Sequence, residues 1–280
     1  LLRVKGAPVK VVGVYSPTAA HREAFASQRG IRAFASFEDM LDEVDVVDVC
    51  CPVSMHEAYT VGAAEAGKHV IVEKLFTGAF GPDDADDNWR GDEAAKEVML
   101  AEALASSRRM LEAAADANVK LMYAENWVYA PTVQKEVEIL RASKAQILWM
   151  IGEESHSGSH SPAYGFWTKS GGGSLVGKGC HPLTAILYLK RVEGLARNGA
   201  PIRPKTVSAR VHEITRTPGY EDRGFLRTDY HDVEDFSQAH VVFEDGFIAD
   251  VFSCEIVMGG VHNWIEIYAN NHRMRCNINP

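Results

Sequence analysis

Two hydrophobic periods alternate along the first 125 residues of the chain. A nearly continuous apolar run covers Val44–Cys51 and ends at Pro52, which is typical of a strand buried on both faces of a parallel sheet. An Ala-rich helical pattern then covers His56–Ala66 and is closed by Gly67, and a further strand pattern follows at His69–Val72. Strand, helix and strand in this order indicate a βαβ unit with parallel strands.

The same alternation continues on both sides of this unit. The other elements predicted here are a strand at Val9–Tyr15, helices at Thr18–Gln28 and Asp92–Asn118, and a strand at Val119–Ala124. Ser36 followed by Asp39 resembles a capping box and predicts a short helix through Leu41. The acidic, turn-rich stretch 81–90 interrupts the alternation and predicts a solvated loop.

From about Trp127 the pattern changes to a few helices and several period-two strands. The predicted helices are Thr132–Leu140 and Pro182–Arg191, and the predicted strands are Ala145–Ile151, Thr206–Thr215, Ser237–Phe243, Ile248–Glu255 and Trp264–Tyr268. Glu244-Asp245-Gly246 predicts a tight hairpin between two of these strands. We therefore expect an α/β domain over residues 1–126, and an α+β domain with a predominantly antiparallel open sheet over residues 127–280.

Composition narrows the function classes. The chain is 46% hydrophobic, which is enough to bury a core. Its 29 Lys and Arg against 38 Asp and Glu give a net charge of −9 without a basic block, which argues against a nucleic-acid partner. No apolar run reaches the ~18–20 residues that a membrane span needs. Five cysteines without a CxxC pair favour reduced thiols and a cytoplasmic location.

The glycine-rich segment Gly171–Gly179 resembles a phosphate-binding P-loop but lacks two of its features. Gly179 follows Lys178 where the motif needs Ser or Thr to hold Mg²⁺, and no convincing strand precedes the segment. We expect instead a mobile or close-packed loop that brings His181 to the start of a helix. The helix dipole disfavours a charged imidazole there, which suits a neutral base.

Two further polar clusters also resemble known sites. His156 and His160 have the spacing of metal ligands, but the sequence identifies no third ligand, so we expect exposed or substrate-contacting histidines and no metal. Asp229, His231 and Asp232 resemble a triad, but no GxSxG nucleophile motif accompanies them, and a polar loop is the better interpretation.

The pair Glu73-Lys74 lies directly after a predicted parallel strand. Ligands of open α/β sheets bind at that edge of the sheet. An isolated Glu-Lys pair is more often solvated surface. Taken alone, both interpretations of the pair stay open.

Several segments, in order, resemble the Gfo/Idh/MocA family, the relatives of glucose–fructose oxidoreductase and inositol dehydrogenase. They are Val11–Ser16, Val46–Pro52 with His56 beyond it, Ala66–Lys74 against the family's "aGkhVlvEKP", Glu125–Pro131, Gly171–His181 and Glu266–Tyr268. The resemblance covers almost the whole chain. It implies a Rossmann-type parallel-sheet domain, incomplete at its N-terminus, followed by the α+β domain.

The resemblance also implies a reaction, namely hydride transfer between NAD(P) and a sugar, cyclitol or related polyol. Lys74 would bind the reacting oxygen, and His181 would exchange the hydroxyl proton. The implied cofactor-binding residues are Ser16, Thr18, Arg22, Pro52, His56, Glu73 and Lys74, and the implied substrate-binding residues are Asn126, Trp127, His156, Trp167 and Lys178.

Cofactor choice and assembly follow from the same resemblance. Ser16 stands where NAD-preferring members carry an acid, and with Thr18 and Arg22 it would accommodate a 2′-phosphate, which favours NADP slightly over NAD. The open sheet of the second domain implies a homo-oligomer.

Three departures from the family pattern matter. The family's G-x-G-x-x-G loop is expected before Leu1, so we expect a fragment that binds the cofactor weakly by itself. Leu75 replaces the Pro of the family signature, which leaves both a cis and a trans bond open. Gly177 replaces an Asp, and Lys178 beside it either takes over part of that role or points to solvent. Two alternatives therefore stay open, an NAD-dependent glycosidase of the same fold and a non-catalytic sensor of sugar and cofactor.

Overall fold

The computed structural model describes residues 8–82, 85 and 88–279, and these form two compact units. The first unit comprises residues from 1–51, 55–73 and 107–123, and the second comprises residues from 52–54, 74–106 and 124–280. Of the loop predicted at 81–90, positions 83, 84, 86 and 87 lie outside the described residues.

The first unit contains two parallel sheets. Strand β1 (Gly13–Val14) pairs with β2 (Arg32–Ala33), and β3 (Val46–Val49), β4 (His69–Val72) and β5 (Leu121–Tyr123) form a second sheet in that order. The first three helices are α1 (Ala19–Arg29), α2 (Phe37–Leu41) and α3 (His56–Glu65), and the longer α4 covers Lys96–Asp116. The predicted parallel βαβ arrangement is confirmed.

The signals that begin and end these helices act as the sequence predicts. The Ser36 hydroxyl accepts a hydrogen bond from the Asp39 backbone N–H at 3.0 Å and caps α2. Gly67 follows α3 with a φ of 73°, a left-handed conformation that glycine adopts without steric cost.

The second unit is built on a six-stranded sheet in the order β11-β10-β6-β9-β8-β7. Its strands are β6 (Ile147–Ser155), β7 (Pro204–His212), β8 (Phe236–Phe243), β9 (Ile248–Cys254), β10 (His262–Ala269) and β11 (Arg273–Asn277). All neighbouring pairs are antiparallel except β6 and β9, which run parallel. The predicted, predominantly antiparallel sheet is therefore confirmed.

Helices cover one face of this sheet. They are α5 (Pro131–Ser143) and α7 (Cys180–Asn198), with the short α6 (Trp167–Ser170) between them in sequence. Val133, Val137 and Leu140 recur every three or four residues along α5 and are fully buried in one hydrophobic cluster with Ile186 and Leu189 of α7. This packing fixes where α7 begins, and therefore where His181 lies.

The segment 74–106 belongs to the second unit, although the division expected near residue 126 places it in the first domain. Two hydrogen bonds within the second unit explain this grouping. Asp232 Oδ2 accepts from the Gly91 backbone N–H at 2.8 Å, and Trp167 Nε1 donates to the Ala79 carbonyl at 3.0 Å.

Two further features concern the helices and the cysteines. Among the described residues, no helix combines the length and hydropathy that crossing a membrane requires. All five cysteines, Cys50, Cys51, Cys180, Cys254 and Cys276, are free thiols.

Candidate active site

His181 lies at the start of α7 with its imidazole held by a carboxylate. A π-helical turn, Leu175–Gly179, leads into the helix, and such turns recur at functional sites. His181 Nδ1 is hydrogen-bonded to the carboxylate of Glu125, which follows β5 and is buried. Because an ionised carboxylate only accepts, Nδ1 carries the proton and Nε2 keeps its lone pair, the form that a general base needs.

Trp127 supports this imidazole from the side. Its indole stacks on the His181 ring with centroids 5.9 Å apart and an interplanar angle of 19°. Its backbone N–H donates to Glu125 Oε1 at 3.4 Å. Trp127 is only 2% exposed and packs against the imidazole in the interior, and the substrate contact that the resemblance implies stays a prediction.

Lys74 reaches the same turn from the end of β4. Its Nζ donates to the carbonyl of Gly177 at 2.6 Å, four residues before His181. The bond from Lys74 to Leu75 is a cis peptide, so the isomer that the sequence leaves open is resolved. The amine and the imidazole that the resemblance assigns to catalysis thus lie in one cluster.

Glu154 completes this cluster from β6. Its Oε2 lies 3.8 Å from His181 Nε2. Burial raises the pKa of Glu154, while the charges of His181, Lys74 and Lys178 oppose that rise. Glu154 approaches the imidazole because Gly152 on the same strand has no side chain. A Cβ there would lie 2.8 Å from Pro182 Cβ and push the start of α7 away from β6.

Gly177 leaves space within the site. A Cβ at this position would meet no atom within 4 Å. Its carbonyl accepts from Lys74, so the backbone there supplies a polar contact without a side chain.

Lys178 points inward, so the alternative that it points to solvent is wrong. It is 2% exposed, its Nζ pairs with the carboxylate of Glu255, and it also donates to Ser159 Oγ at 3.2 Å. Burial lowers the pKa of Lys178, and the charge of Glu255 opposes that effect. The pKa of His156 is likewise lowered, first by burial and then by the charge of Lys178. Lys178 is therefore a buried member of an ion pair that anchors the turn before His181.

Trp167 lies in a supporting network and not in this cluster. Asp232 Oδ1 accepts from the Trp167 backbone N–H at 2.8 Å, and Lys96 Nζ lies 4.8 Å from the Trp167 ring centroid. Asn126 lies on the exposed turn after β5.

The remaining polar clusters form no second centre. Asp229 pairs with Arg227 at 2.6 Å, and His231 stacks on Phe166 at a centroid distance of 5.2 Å. The triad pattern of the sequence is therefore not assembled. Among the residues that the structure describes, no group of three or more His, Cys, Asp or Glu side chains is arranged to hold a metal.

The first unit carries the residues implied to bind the cofactor, apart from Pro52 and Lys74. Arg22 donates to the carbonyls of Ser16 at 3.1 Å and Pro17 at 3.3 Å. The first turn of α1 contains no acidic residue, and the Thr18 side chain makes no capping hydrogen bond there. His56 Nε2 is hydrogen-bonded to the Cys51 carbonyl at 3.0 Å, directly after β3. A guanidinium and a hydroxyl beside a helix N-terminus fit the phosphate groups of a nucleotide.

Sequence comparison finds relatives for the first part of the chain. Residues 2–90 match the model of an oxidoreductase family with an NAD-binding Rossmann fold. A stretch of 68 residues is 37% identical to UDP-N-acetylglucosamine 3-dehydrogenase of Acidithiobacillus ferrooxidans, and it covers 24% of this chain and 22% of that enzyme.

Structure comparison extends the similarity to nearly the whole chain. GenD2 from gentamicin A biosynthesis, solved with NAD, matches with a TM-score of 0.70 and 20% identity over 96% of this chain and 65% of that chain. An NAD-binding oxidoreductase from Klebsiella pneumoniae matches with a TM-score of 0.70 and 20% identity over 96% and 64%. Levoglucosan dehydrogenase, solved with NADH and levoglucosan, matches with a TM-score of 0.66 and 20% identity over 95% and 64%. The chain thus spans slightly less than two thirds of these proteins, and the similarity shows a shared fold.

Proposed function

We propose that this chain is a member of the Gfo/Idh/MocA family of oxidoreductases and that it transfers a hydride between a nicotinamide cofactor and a CH–OH carbon of a sugar, cyclitol or related polyol. The observation that carries the proposal is one cluster: Glu125 holds the imidazole of His181, the ammonium of Lys74 donates to the Gly177 carbonyl four residues before it, and both charges act on Glu154. A positioned base and a fixed cation are what oxidation of an alcohol requires of the protein.

In the direction of oxidation, His181 Nε2 takes the proton of the reacting hydroxyl. Lys74 stabilises the negative charge that develops on the oxygen, and Glu125 keeps the other proton on Nδ1 throughout. The bound cofactor supplies the hydride acceptor at its nicotinamide ring. In the direction of reduction, the imidazolium returns its proton to the carbonyl oxygen while Lys74 holds that oxygen.

Two kinds of observation support a sugar as the substrate and NADP as the preferred cofactor. UDP-N-acetylglucosamine 3-dehydrogenase and levoglucosan dehydrogenase carry the names of sugars, which supports a sugar here. In the first unit, Ser16, Thr18, Arg22, His56 and Glu73 would hold the cofactor. The Arg22 guanidinium beside Ser16 favours NADP, because a carboxylate at position 16 would repel the 2′-phosphate.

Replacement of Lys74 by Ala tests the proposed reaction. We expect kcat/KM in the complete protein to fall by about 10²–10³-fold, because one preorganised donor to a developing oxyanion contributes an effect of that order. The assay follows NADH and NADPH absorbance with a panel that includes UDP-N-acetylglucosamine, levoglucosan and inositol. Lys135→Ala, at an exposed position of α5, is the control and should leave the rate within twofold. An unchanged rate in Lys74→Ala would contradict the assignment.

Replacement of Arg22 by Ala tests the cofactor preference. We expect kcat/KM with NADP to fall about tenfold relative to NAD, since loss of one charged contact to a phosphate costs about 1.4 kcal/mol or more. Arg29→Ala, at the other end of α1, is the matched control. A wild-type protein that uses NAD as well as or better than NADP would refute the preference.

We further propose a homo-oligomer formed through the sheet of the second unit. All residues of the edge strand β7 are exposed, among them Val207 at 67% and Val211 at 53%. Exposed apolar residues on an edge strand favour association with a partner. We also propose a cytoplasmic location, which the five free cysteines support.

A further inference from the structure

Glu154 is a buried acid to which the reaction described above gives no role. Its side chain is 13% exposed. Its Oε2 is buried and accepts no hydrogen bond from any residue that the structure describes. Buried carboxylate oxygens normally have a donor, because an unsatisfied one has lost its hydration without compensation.

The imidazole of His181 is placed to provide that donor. Nε2 lies 3.8 Å from Glu154 Oε2, which is too long for a hydrogen bond but close enough for a strong charge interaction in a buried site. When Nε2 carries no proton, it has nothing to donate. When Nε2 gains a proton, the new N–H and the positive charge both favour the facing carboxylate.

Position 177, in the turn before His181, carries no acid that could act on the imidazole. The sequence has Gly177 where the family pattern has an Asp, and a Cβ there would meet no atom within 4 Å. Position 177 therefore has space for the first atom of a side chain and carries none. On the Nε2 side of the His181 imidazole, Glu154 supplies a carboxylate, with its Oε2 3.8 Å away.

We propose that Glu154 is a positioning residue that stabilises the protonated form of His181. It makes no bond to the reacting atoms and acts through the imidazole. The role of Glu154 in turnover rests on the proposed function, in which His181 takes its proton from the substrate hydroxyl. The interaction between Glu154 and His181 does not depend on it and is testable without substrate.

Several charged groups surround this pair and must be held constant in the test. Glu125 contributes negative charge on the Nδ1 side, and Lys74 and Lys178 contribute positive charge. Cys180 remains a neutral thiol, since burial raises its pKa to about 12. The variants used in the titration change none of these groups.

The substrate-free experiment is a ¹⁵N NMR titration of the histidine side chains in the complete protein, with His181→Gln used to assign the signal. In Glu154→Gln we expect the midpoint of His181 protonation to fall by about one pH unit, because the imidazolium loses a facing negative charge. The control is Glu153→Gln, whose carboxylate contacts Trp264 Nε1 at 3.0 Å and lies outside the cluster. It should leave the midpoint unchanged.

Two further variants keep this test decisive. Adding Gly177→Asp to Glu154→Gln should move the midpoint of His181 protonation back toward the wild-type value. The added carboxylate lies four residues before His181, at a position where a Cβ meets no atom within 4 Å. If Glu154→Gln does not fold by circular dichroism, Glu154→Asp replaces it, and its shift should be smaller and in the same direction. A midpoint unchanged in Glu154→Gln, or shifted equally in Glu153→Gln, overturns the proposal.

Kinetics then test the role in turnover. With UDP-N-acetylglucosamine and levoglucosan as probes, Glu154→Gln should lower kcat about tenfold with KM within twofold, and should move the ascending limb of the oxidation pH profile to lower pH. Absence of turnover in the wild type together with the expected NMR shift would count against the proposed function only. Loss of turnover in Lys74→Ala with no change in Glu154→Gln would count against the role of Glu154 only.

Discussion

Replacement of His181 by Ala is expected to lower kcat for hydride transfer by about 10²–10⁴-fold, the range that a general acid or base contributes. The ring is 8% exposed and is fixed on one side by Glu125 and on one face by Trp127. Because these contacts fix the orientation of the imidazole, its removal takes away a positioned base. KM should change much less than kcat, since most binding contacts are made by other residues.

The pH profile separates loss of the base from a general disturbance of the fold. In the wild type, oxidation should become faster with rising pH as His181 loses its proton, and in His181→Ala that ascending limb should disappear. His69→Ala, at the exposed first position of β4, is the control and should keep both the rate and the limb. A His181→Ala variant that retains the limb would show that another group is the base.

The family resemblance assigns roles to Lys74 and His181, and simple boundaries in the sequence predict where both residues lie. Lys74 comes directly after a strand, and His181 starts a helix after a glycine-rich turn. The same reasoning identifies Glu125, since it directly follows the predicted strand Val119–Ala124 and the carboxyl ends of parallel strands lie at one edge. Applied to every strand of the first domain, the rule that singles out Glu73-Lys74 selects this residue too.

The places of Glu154 and Glu255 do not follow from element boundaries, because they depend on which strands pair. Ser155 pairs with Cys254 across β6 and β9, two segments about a hundred residues apart that run parallel in a mostly antiparallel sheet. Period-two alternation shows that each segment is a strand but specifies neither its partner nor its direction. The acids at the ends of these strands therefore cannot be placed beside the site from the pattern alone.

The burial of Lys178 also cannot be predicted from the local sequence. A lysine in a glycine-rich segment is typical of solvated surface, and no local pattern marks it as buried. Its burial follows from the pairing with Glu255, which lies 77 positions away. The assignment of segment 74–106 to the second unit has the same origin, because the Asp232 and Trp167 contacts that hold it come from distant parts of the chain.

Replacement of Lys190 by Ala is expected to lower the free energy of unfolding of the second unit by about 3–5 kcal/mol. Lys190 is fully buried on α7, where its Nζ donates to Glu193 at 2.6 Å and to Asp245 at 2.8 Å. Asp245 belongs to the predicted β8–β9 hairpin, so this one ammonium joins the helix that carries His181 to the sheet beneath it. Without Lys190, Glu193 remains fully buried with a single partner, Arg197 at 2.7 Å.

Urea unfolding of three variants separates the lost charge from the lost volume. Lys190→Met fills most of the space and retains contact with Phe243, whose ring centroid lies 5.3 Å from Nζ, but it leaves the carboxylate without its ammonium. We expect Lys190→Met to lose at least half as much stability as Lys190→Ala. Lys135→Ala is the control, since it breaks the exposed pair with Glu138 on α5 and should cost less than about 1 kcal/mol. A Lys190→Met protein as stable as the wild type would show that packing alone, and not the buried ion pair, holds this end of α7 on the sheet.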